Sequence, residues 1–179
     1  MLKLRSPATL AALSLALITE ALVCQAPGAR IKIAGTYSAS YARQFGAEIG
    51  DVEGHTLSIG QARGTNRSTG ETGYMDGAQL RMIQTEDLIR GTGTAEGYSS
   101  LVTGADTARL KSAGRVTTVA SAEKGVVITF EGSWTVEKAT GKYQGRTGSG
   151  TYRGRFISPI EYVVEWEGTL SEPGATAVR

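Results

Sequence analysis

Apolar and polar residues alternate with a period of two along most of the chain from about residue 30 onward. The alternation is clearest in "GVVITFEGSWTVE" at 125–137 and "EYVVEWEGTL" at 161–170. Successive side chains of a β-strand point to opposite faces, so this period predicts strands with one apolar face. The residues that share such a face are Val126, Ile128, Phe130, Trp134 and Val136 in the first segment, and Tyr162, Val164, Trp166 and Leu170 in the second.

Extending this reading predicts about eight strands, at residues 31–41, 55–63, 78–84, 87–102, 107–120, 125–137, 148–156 and 161–170. The stretches "TNRSTGETG", "TGAD" and "ATGK" between them have the composition of turns. No apolar stripe of helical period extends beyond two turns, so antiparallel connections fit better than crossover helices. The pattern predicts a single all-β domain, either a closed barrel or a sandwich.

The chain has two similar glycine-rich stretches, "GTGTAEGY" at 91–98 and "GSGTYRGR" at 148–155. Some glycine-rich loops bind phosphate, and the spacing of their glycines is characteristic. A dinucleotide loop reads Gly-x-Gly-x-x-Gly and leads into a helix. Here the third glycine comes one residue too late, no helix can be drawn after it, and no Gly-Lys-Ser/Thr follows. The glycines of each stretch have the same parity. We therefore interpret them as small residues on one strand face, where they let a barrel wall bend or make room for bulky neighbours.

The N-terminal 29 residues have the layout of a secretory signal. Lys3 and Arg5 precede the apolar stretch "ATLAALSLALITEALV", and the small-residue segment "CQAPGA" follows. We expect cleavage between residues 25 and 31, an exported periplasmic or secreted product, and a barrel domain at 30–179. An uncleaved anchor is the alternative, although the apolar run is shorter than the roughly 20 residues of a membrane span.

The charge and cysteine content exclude several classes of site. The formal net charge is +2, and no basic run suggests nucleic-acid binding. The single cysteine, Cys24, lies in the predicted signal, so the mature domain would have no disulfide, thiol nucleophile or cysteine metal ligand. Lipid attachment at Cys24 is a further alternative, which bulky Val23 disfavours. We expect no cofactor, no metal site and no stable membrane insertion after cleavage.

The segments "FEGSWTV" at 130–136 and "GKYQGRTGSGTYRG" at 141–154 resemble the glycine-rich C-terminal hairpin of the allene oxide cyclase barrel-like family, which is related in fold to plant dirigent proteins. "DVEGHTLSIGQARGTN" at 51–66 and "DLIRGTGTAEGY" at 87–98 are similar to segments of exported bacterial members. The resemblance covers residues 45 to 170. It implies a calycin-like, eight-stranded antiparallel barrel, often a homotrimer, with a cavity for a small apolar ligand. Plant members cyclise a fatty-acid epoxide or direct phenoxy-radical coupling, but their catalytic residues have no one-to-one counterparts here.

Five residues are candidates for a site. His55 shares a face with Leu57 and Ile59. If that face is inward, His55 lies at the barrel mouth and serves proton transfer or polar ligand contact. Otherwise His55 has a structural role. Asp87 shares a face with Ile89, which predicts either a buried inward carboxylate or a turn cap. The remaining candidates would line a cavity or pack the core: Trp134, Tyr152 and Trp166.

Three classes of function stay open after this reading. The first is binding of a small apolar molecule, and the second is isomerisation or cyclisation of such a molecule. The second requires a polar acid/base pair that faces the cavity. The third, a structural or interaction module, predicts an interior filled by side chains.

Overall fold

A computed structural model describes residues 29–70, 72–123 and 125–172. Apart from one turn of 3-10 helix at Gly141–Tyr143, these residues contain no helix. The predicted signal segment and Cys24 lie outside the described residues. The eight strands are β1 (Arg30–Glu48), β2 (His55–Ser68), β3 (Gln79–Ile89), β4 (Thr92–Thr103), β5 (Asp106–Ser121), β6 (Gly125–Thr140), β7 (Gly148–Phe156) and β8 (Glu161–Ser171).

Each strand pairs antiparallel with the next, and the sheet closes where β8 pairs with β1. We call this closed ring of strands the barrel. The closing ladder runs from Arg30 opposite Ser171 to Ser40 opposite Glu161. The predicted set of about eight antiparallel strands is therefore confirmed.

The inner face of the barrel agrees with the predicted alternation on β6, β7 and β8. Trp134, Tyr162, Val164, Trp166 and Leu170 are buried, whereas Glu165 and Glu167 between them on β8 are exposed and Val163 is half-buried. On β7 the alternating residues from Gly148 to Phe156 are half-buried and their neighbours are exposed. The shared parity of the glycines in 148–155 thus corresponds to one inward face.

Several predicted boundaries are wrong, including the end of β1, which lies at Glu48 and not at residue 41. The single strand predicted at 87–102 is interrupted, because β3 ends at Ile89 and β4 begins at Thr92. Arg90 and Gly91 between them both have positive φ, 51° and 74°. Two such residues form the tight turn whose twist suits a two-residue hairpin, so Gly91 is a turn residue and not part of the inner face. The stretch "TNRS" predicted as turn is instead the end of β2.

Inward aromatic rings lie over glycines of neighbouring strands. Trp134 on β6 stands in register with Gly150 on β7, which in turn pairs with Gly168 on β8. A Cβ atom on either glycine would lie 2.5 Å from Cζ2 of Trp134. Tyr152 stands in the same relation to other glycines, because its hydroxyl would lie 2.5 Å from a Cβ on Gly114 and 2.7 Å from one on Gly132. The glycines make room for rings that lie along the wall of the barrel.

Candidate functional site

The barrel interior contains a cavity of about 90 Å³. Its wall is mostly apolar, and aliphatic side chains of β3, β4 and β5 face aromatic side chains of β6, β7 and β8. Trp134, Tyr152 and Trp166, predicted as ligand contacts, all line this cavity. The structure shows that these three side chains line the cavity. Ligand binding by them stays a prediction.

One end of the barrel, where β2 ends and β3 begins, is covered by loop residues. Tyr74, Met75 and Ala78 of the β2–β3 connection are buried, as is Tyr143 after β6. The backbone N–H of Met75 donates to the Tyr143 hydroxyl at 3.1 Å, and the Tyr74 and Tyr143 rings meet edge to face. We call this the capped end.

Asn66 joins this cap to the barrel wall. Its side chain is 1% exposed, donates to the Met75 carbonyl at 2.8 Å and accepts from the Trp166 indole N–H at 2.9 Å. The Trp166 ring in turn packs edge to face on Trp134 and on Tyr74. These hydrogen bonds fix the cavity wall at the capped end, and they pair both the amide nitrogen and the amide oxygen of Asn66.

The opposite end, where β1 ends and β2 begins, has no comparable cover among the described residues. Its loop residues at 49–54 and 157–160 include none that is buried. Exposed aliphatic side chains surround this end: Ile49, Val52, Ile89, Val119, Val126, Ile157 and Ile160, each 48–68% exposed. We call it the open end.

A polar cluster lies on the cavity wall toward the open end. Glu86 on β3 is 8% exposed and lines the cavity. Its carboxylate accepts from the Tyr41 hydroxyl at 2.9 Å, from the Ser58 hydroxyl at 3.1 Å and from the Gln84 amide. Gln84 also donates to the Tyr41 oxygen. These contacts fix a carboxylate and a phenol side by side in an apolar cavity.

The environment of this cluster keeps its phenols protonated. Burial raises the pKa of Tyr41 far above its usual range, and the Glu86 charge and hydrogen bond raise it further. Burial also raises the pKa of Tyr162, with smaller contributions from the neighbouring Tyr41 and Glu86. Tyr41 therefore acts as a hydrogen-bond donor to Glu86. The Tyr162 hydroxyl is buried and, among the described residues, has no hydrogen-bond partner.

His55 and Asp87 do come together, but on the outside of the barrel. Nε2 of His55 lies 2.8 Å from Asp87 Oδ1, and Nδ1 lies 2.5 Å from Asp51 Oδ1. Both carboxylates raise the pKa of His55, the Asp87 hydrogen bond most. The Asp87 side chain is 58% exposed, so of the two alternatives for this residue the inward, buried carboxylate is wrong. His55 ties the loop after β1 to β2 and β3 and does not line the cavity.

The sequence did not reveal that the His55 face is the outer one, because the inner face of β2 before Arg63 carries small residues. Ala62 and Gly60 are inward, while Leu57 and Ile59 are about half exposed. The Tyr41 ring occupies the space beside Gly60. Hydrophobicity alone therefore favoured the outer face of this strand.

Sequence reasoning missed Glu86, Gln84 and Tyr41. A usable signal existed, because Leu80 and Met82 were placed on one face and their parity leads directly to Gln84 and Glu86. The prediction ended that strand at residue 84 and began the next one at residue 87, so Glu86 was placed in neither strand.

No group of three or more His, Asp or Glu side chains in the described parts of the chain is arranged to hold a metal ion. Within the same parts, no helix is long and apolar enough to cross a membrane.

Searches of protein-family models, curated proteins and solved structures find no match to this chain. The resemblance to the allene oxide cyclase barrel-like family therefore stays a prediction.

Proposed function

We propose that this protein is an exported, calycin-like barrel that binds a small apolar molecule inside the barrel. The observation that carries the proposal is the cavity of about 90 Å³, closed at the capped end and lined largely by aromatic and aliphatic side chains. Binding sites for small molecules are typically concave and apolar, with a few polar groups that set orientation. The cluster around Glu86 supplies such groups.

The volume of the cavity limits the size of the ligand. An engineered apolar cavity of roughly 150 Å³ binds benzene, so a cavity of about 90 Å³ favours a smaller or partly protruding group. A long fatty acyl chain would fit only if side chains at the open end moved. The exposed aliphatic residues around that end give an apolar molecule a surface of approach.

A direct test is to identify molecules that co-purify with the mature protein by extraction and mass spectrometry. Ser99 lines the cavity, and Ser100 is its neighbour on the opposite face of β4. Ser99→Leu should fill the cavity and abolish co-purification, while Ser100→Leu should retain it. An equal amount of bound molecule in both variants would contradict a binding site inside the barrel.

An isomerase or cyclase is the second candidate, and the Glu86–Tyr41 pair favours it. The Glu86 carboxylate, held on the cavity wall by the Tyr41 hydroxyl at 2.9 Å, can act as a proton acceptor toward a reacting molecule. If a co-purified compound is converted to an isomer, Glu86→Gln should abolish conversion while binding persists. Unchanged conversion in that variant would exclude Glu86 as the base.

The third class, a purely structural module, predicts a filled interior, and the cavity argues against it. Export rests on the N-terminal sequence alone. N-terminal sequencing of periplasmic or secreted material should begin between residues 25 and 31. A full-length cytoplasmic product would refute export without affecting the proposed binding.

A further inference from the structure

The Glu86 carboxylate has no positive partner in the described part of the protein. The ion pairs of residues 29–70, 72–123 and 125–172 do not include it. Its three hydrogen bonds come from the neutral groups of Tyr41, Ser58 and Gln84, and a carboxylate has about four acceptor sites. A buried charge is costly unless it is paired. The Glu86 carboxylate therefore keeps capacity for another donor. Arg115 also lines the cavity, but its side chain is exposed and none of the ion pairs of the described residues joins it to Glu86.

A second polar group of the same wall lacks a partner. The Tyr162 side chain is 98% buried, since its exposure is 2%, and it lines the cavity. Its hydroxyl makes no hydrogen bond with any described residue. Buried hydroxyls are normally paired, so an unpaired one facing a cavity points to a ligand group. Because the phenol is neutral, its oxygen can accept a hydrogen bond.

Aromatic rings enclose this polar region. The Tyr41, Phe156 and Tyr162 rings have centroids 5.4–6.1 Å apart. The faces of aromatic rings carry partial negative charge and attract organic cations. A carboxylate next to an aromatic cluster favours a cation over an anion.

We propose that the ligand is a small organic amine bound in its protonated form. This inference rests on the proposed binding function and specifies its ligand class. The ammonium group donates to Glu86 and to the Tyr162 oxygen, and the apolar part of the molecule lies against the rings. The cavity volume favours a short aliphatic amine over a fused aromatic one.

The test compares three probes of similar size at pH 7: isobutylamine, isobutanol and isobutyrate. Dissociation constants are measured by protein-observed NMR titration of the mature protein. An alkylamine is protonated at this pH, as a lysine side chain is. We expect isobutylamine to bind about tenfold more tightly than isobutanol, which corresponds to ~1.4 kcal/mol, and isobutyrate to bind most weakly.

Two variants test whether the polar cluster around Glu86 causes the preference for the amine over the alcohol. Glu86→Gln should reduce the preference for the amine over the alcohol to about equal binding, while Glu96→Gln on the exposed face of β4 should leave it unchanged. Tyr162→Phe offers a second variant, which keeps the ring and should weaken amine binding several-fold.

The outcomes separate the two proposals. Isobutanol binding as tightly as isobutylamine in the unmodified protein would overturn the amine inference and leave the binding function standing. A preference that persists in Glu86→Gln would also overturn it. Failure of all three probes to bind would overturn the amine inference, while the binding function itself would stand or fall with the co-purification test.

Discussion

Truncation of Trp166 to alanine should be among the most destabilising single changes in the barrel. The side chain is 9% exposed and packs on Trp134 and Tyr74. Removing a buried Trp typically costs about 3–5 kcal/mol. The change also leaves the Asn66 Oδ1 atom, whose donor is the Trp166 indole, without its partner; an orphaned buried acceptor costs about 1–3 kcal/mol. The two terms overlap, and we expect ~4 kcal/mol in total.

The matched control is Glu165→Ala, one residue away on the outer face of β8. Glu165 pairs with Arg153 at 2.7 Å, but both side chains are largely exposed. Such pairs contribute about 0–1 kcal/mol. For a domain of this size, ~1 kcal/mol shifts the melting temperature by about 2–4 °C. Trp166→Ala should therefore lower it by roughly 8–16 °C, and Glu165→Ala by less than about 4 °C.

Urea unfolding followed by far-ultraviolet circular dichroism measures both changes. An unchanged m-value would show that the variants unfold over the same surface. Trp166→Phe should fall between the two, because it keeps a ring but loses the indole N–H. The reasoning fails if Glu165→Ala is the more destabilising change, because the inward and outward faces of β8 would then be reversed.

Three further predictions concern the glycines, the outer histidine and the cap. Gly150→Val should destabilise the protein by at least about 1–3 kcal/mol in urea unfolding, since the new side chain would meet the Glu167 carbonyl of β8 and the ring of Trp134. Thr151→Val on the outer face should be nearly neutral. Phosphate or nucleotide that raises the melting temperature of the unmodified protein but not of Gly150→Val would contradict a structural role for this glycine. The raised pKa of His55 means that its ion pairs stabilise the fold below the unfolded value near 6.5 and lose that effect as pH rises through the higher folded value. The difference in unfolding free energy between the unmodified protein and His55→Gln should therefore be larger at pH 6 than at pH 9, and a pH-independent difference would count against the ion pairs. Tyr143→Phe should cost about 1–3 kcal/mol, because the buried Met75 N–H loses its acceptor, and amide hydrogen exchange at Met75 should accelerate.

The sequence predicts the barrel best where large apolar residues alternate with charged ones. On β8, the face with Tyr162, Val164 and Trp166 lies opposite one that carries three glutamates and Val163, so only one orientation buries the larger apolar set. The number of strands and their antiparallel order follow from the same pattern. These parts of the fold depend on local sequence signals and could therefore be predicted from the sequence alone.

The candidate site was less predictable because its interior faces are polar or small. Glu86 and Gln84 are inward although both residue types are usually exposed. Their burial depends on Tyr41, which is distant in sequence and reaches them only after β1, β2 and β3 have paired. Alternation within one strand cannot reveal a polar cluster that three strands assemble.

The glycines connect the fold to the cavity. On an inward face, a large ring normally points toward the barrel axis and fills it, but a ring that has glycine beside it in the next strand can lie along the wall. Trp134 lies over Gly150 and Gly168, Tyr152 lies beside Gly114 and Gly132, and the lumen in front of both rings holds the cavity. Whether the interior keeps a cavity therefore depends more on which residues lie beside each ring in the neighbouring strands than on the number of aromatic residues in any one strand. A sequence with the same aromatic residues but with valine in place of these glycines would be expected to close a barrel with a filled interior, or to fail to close it.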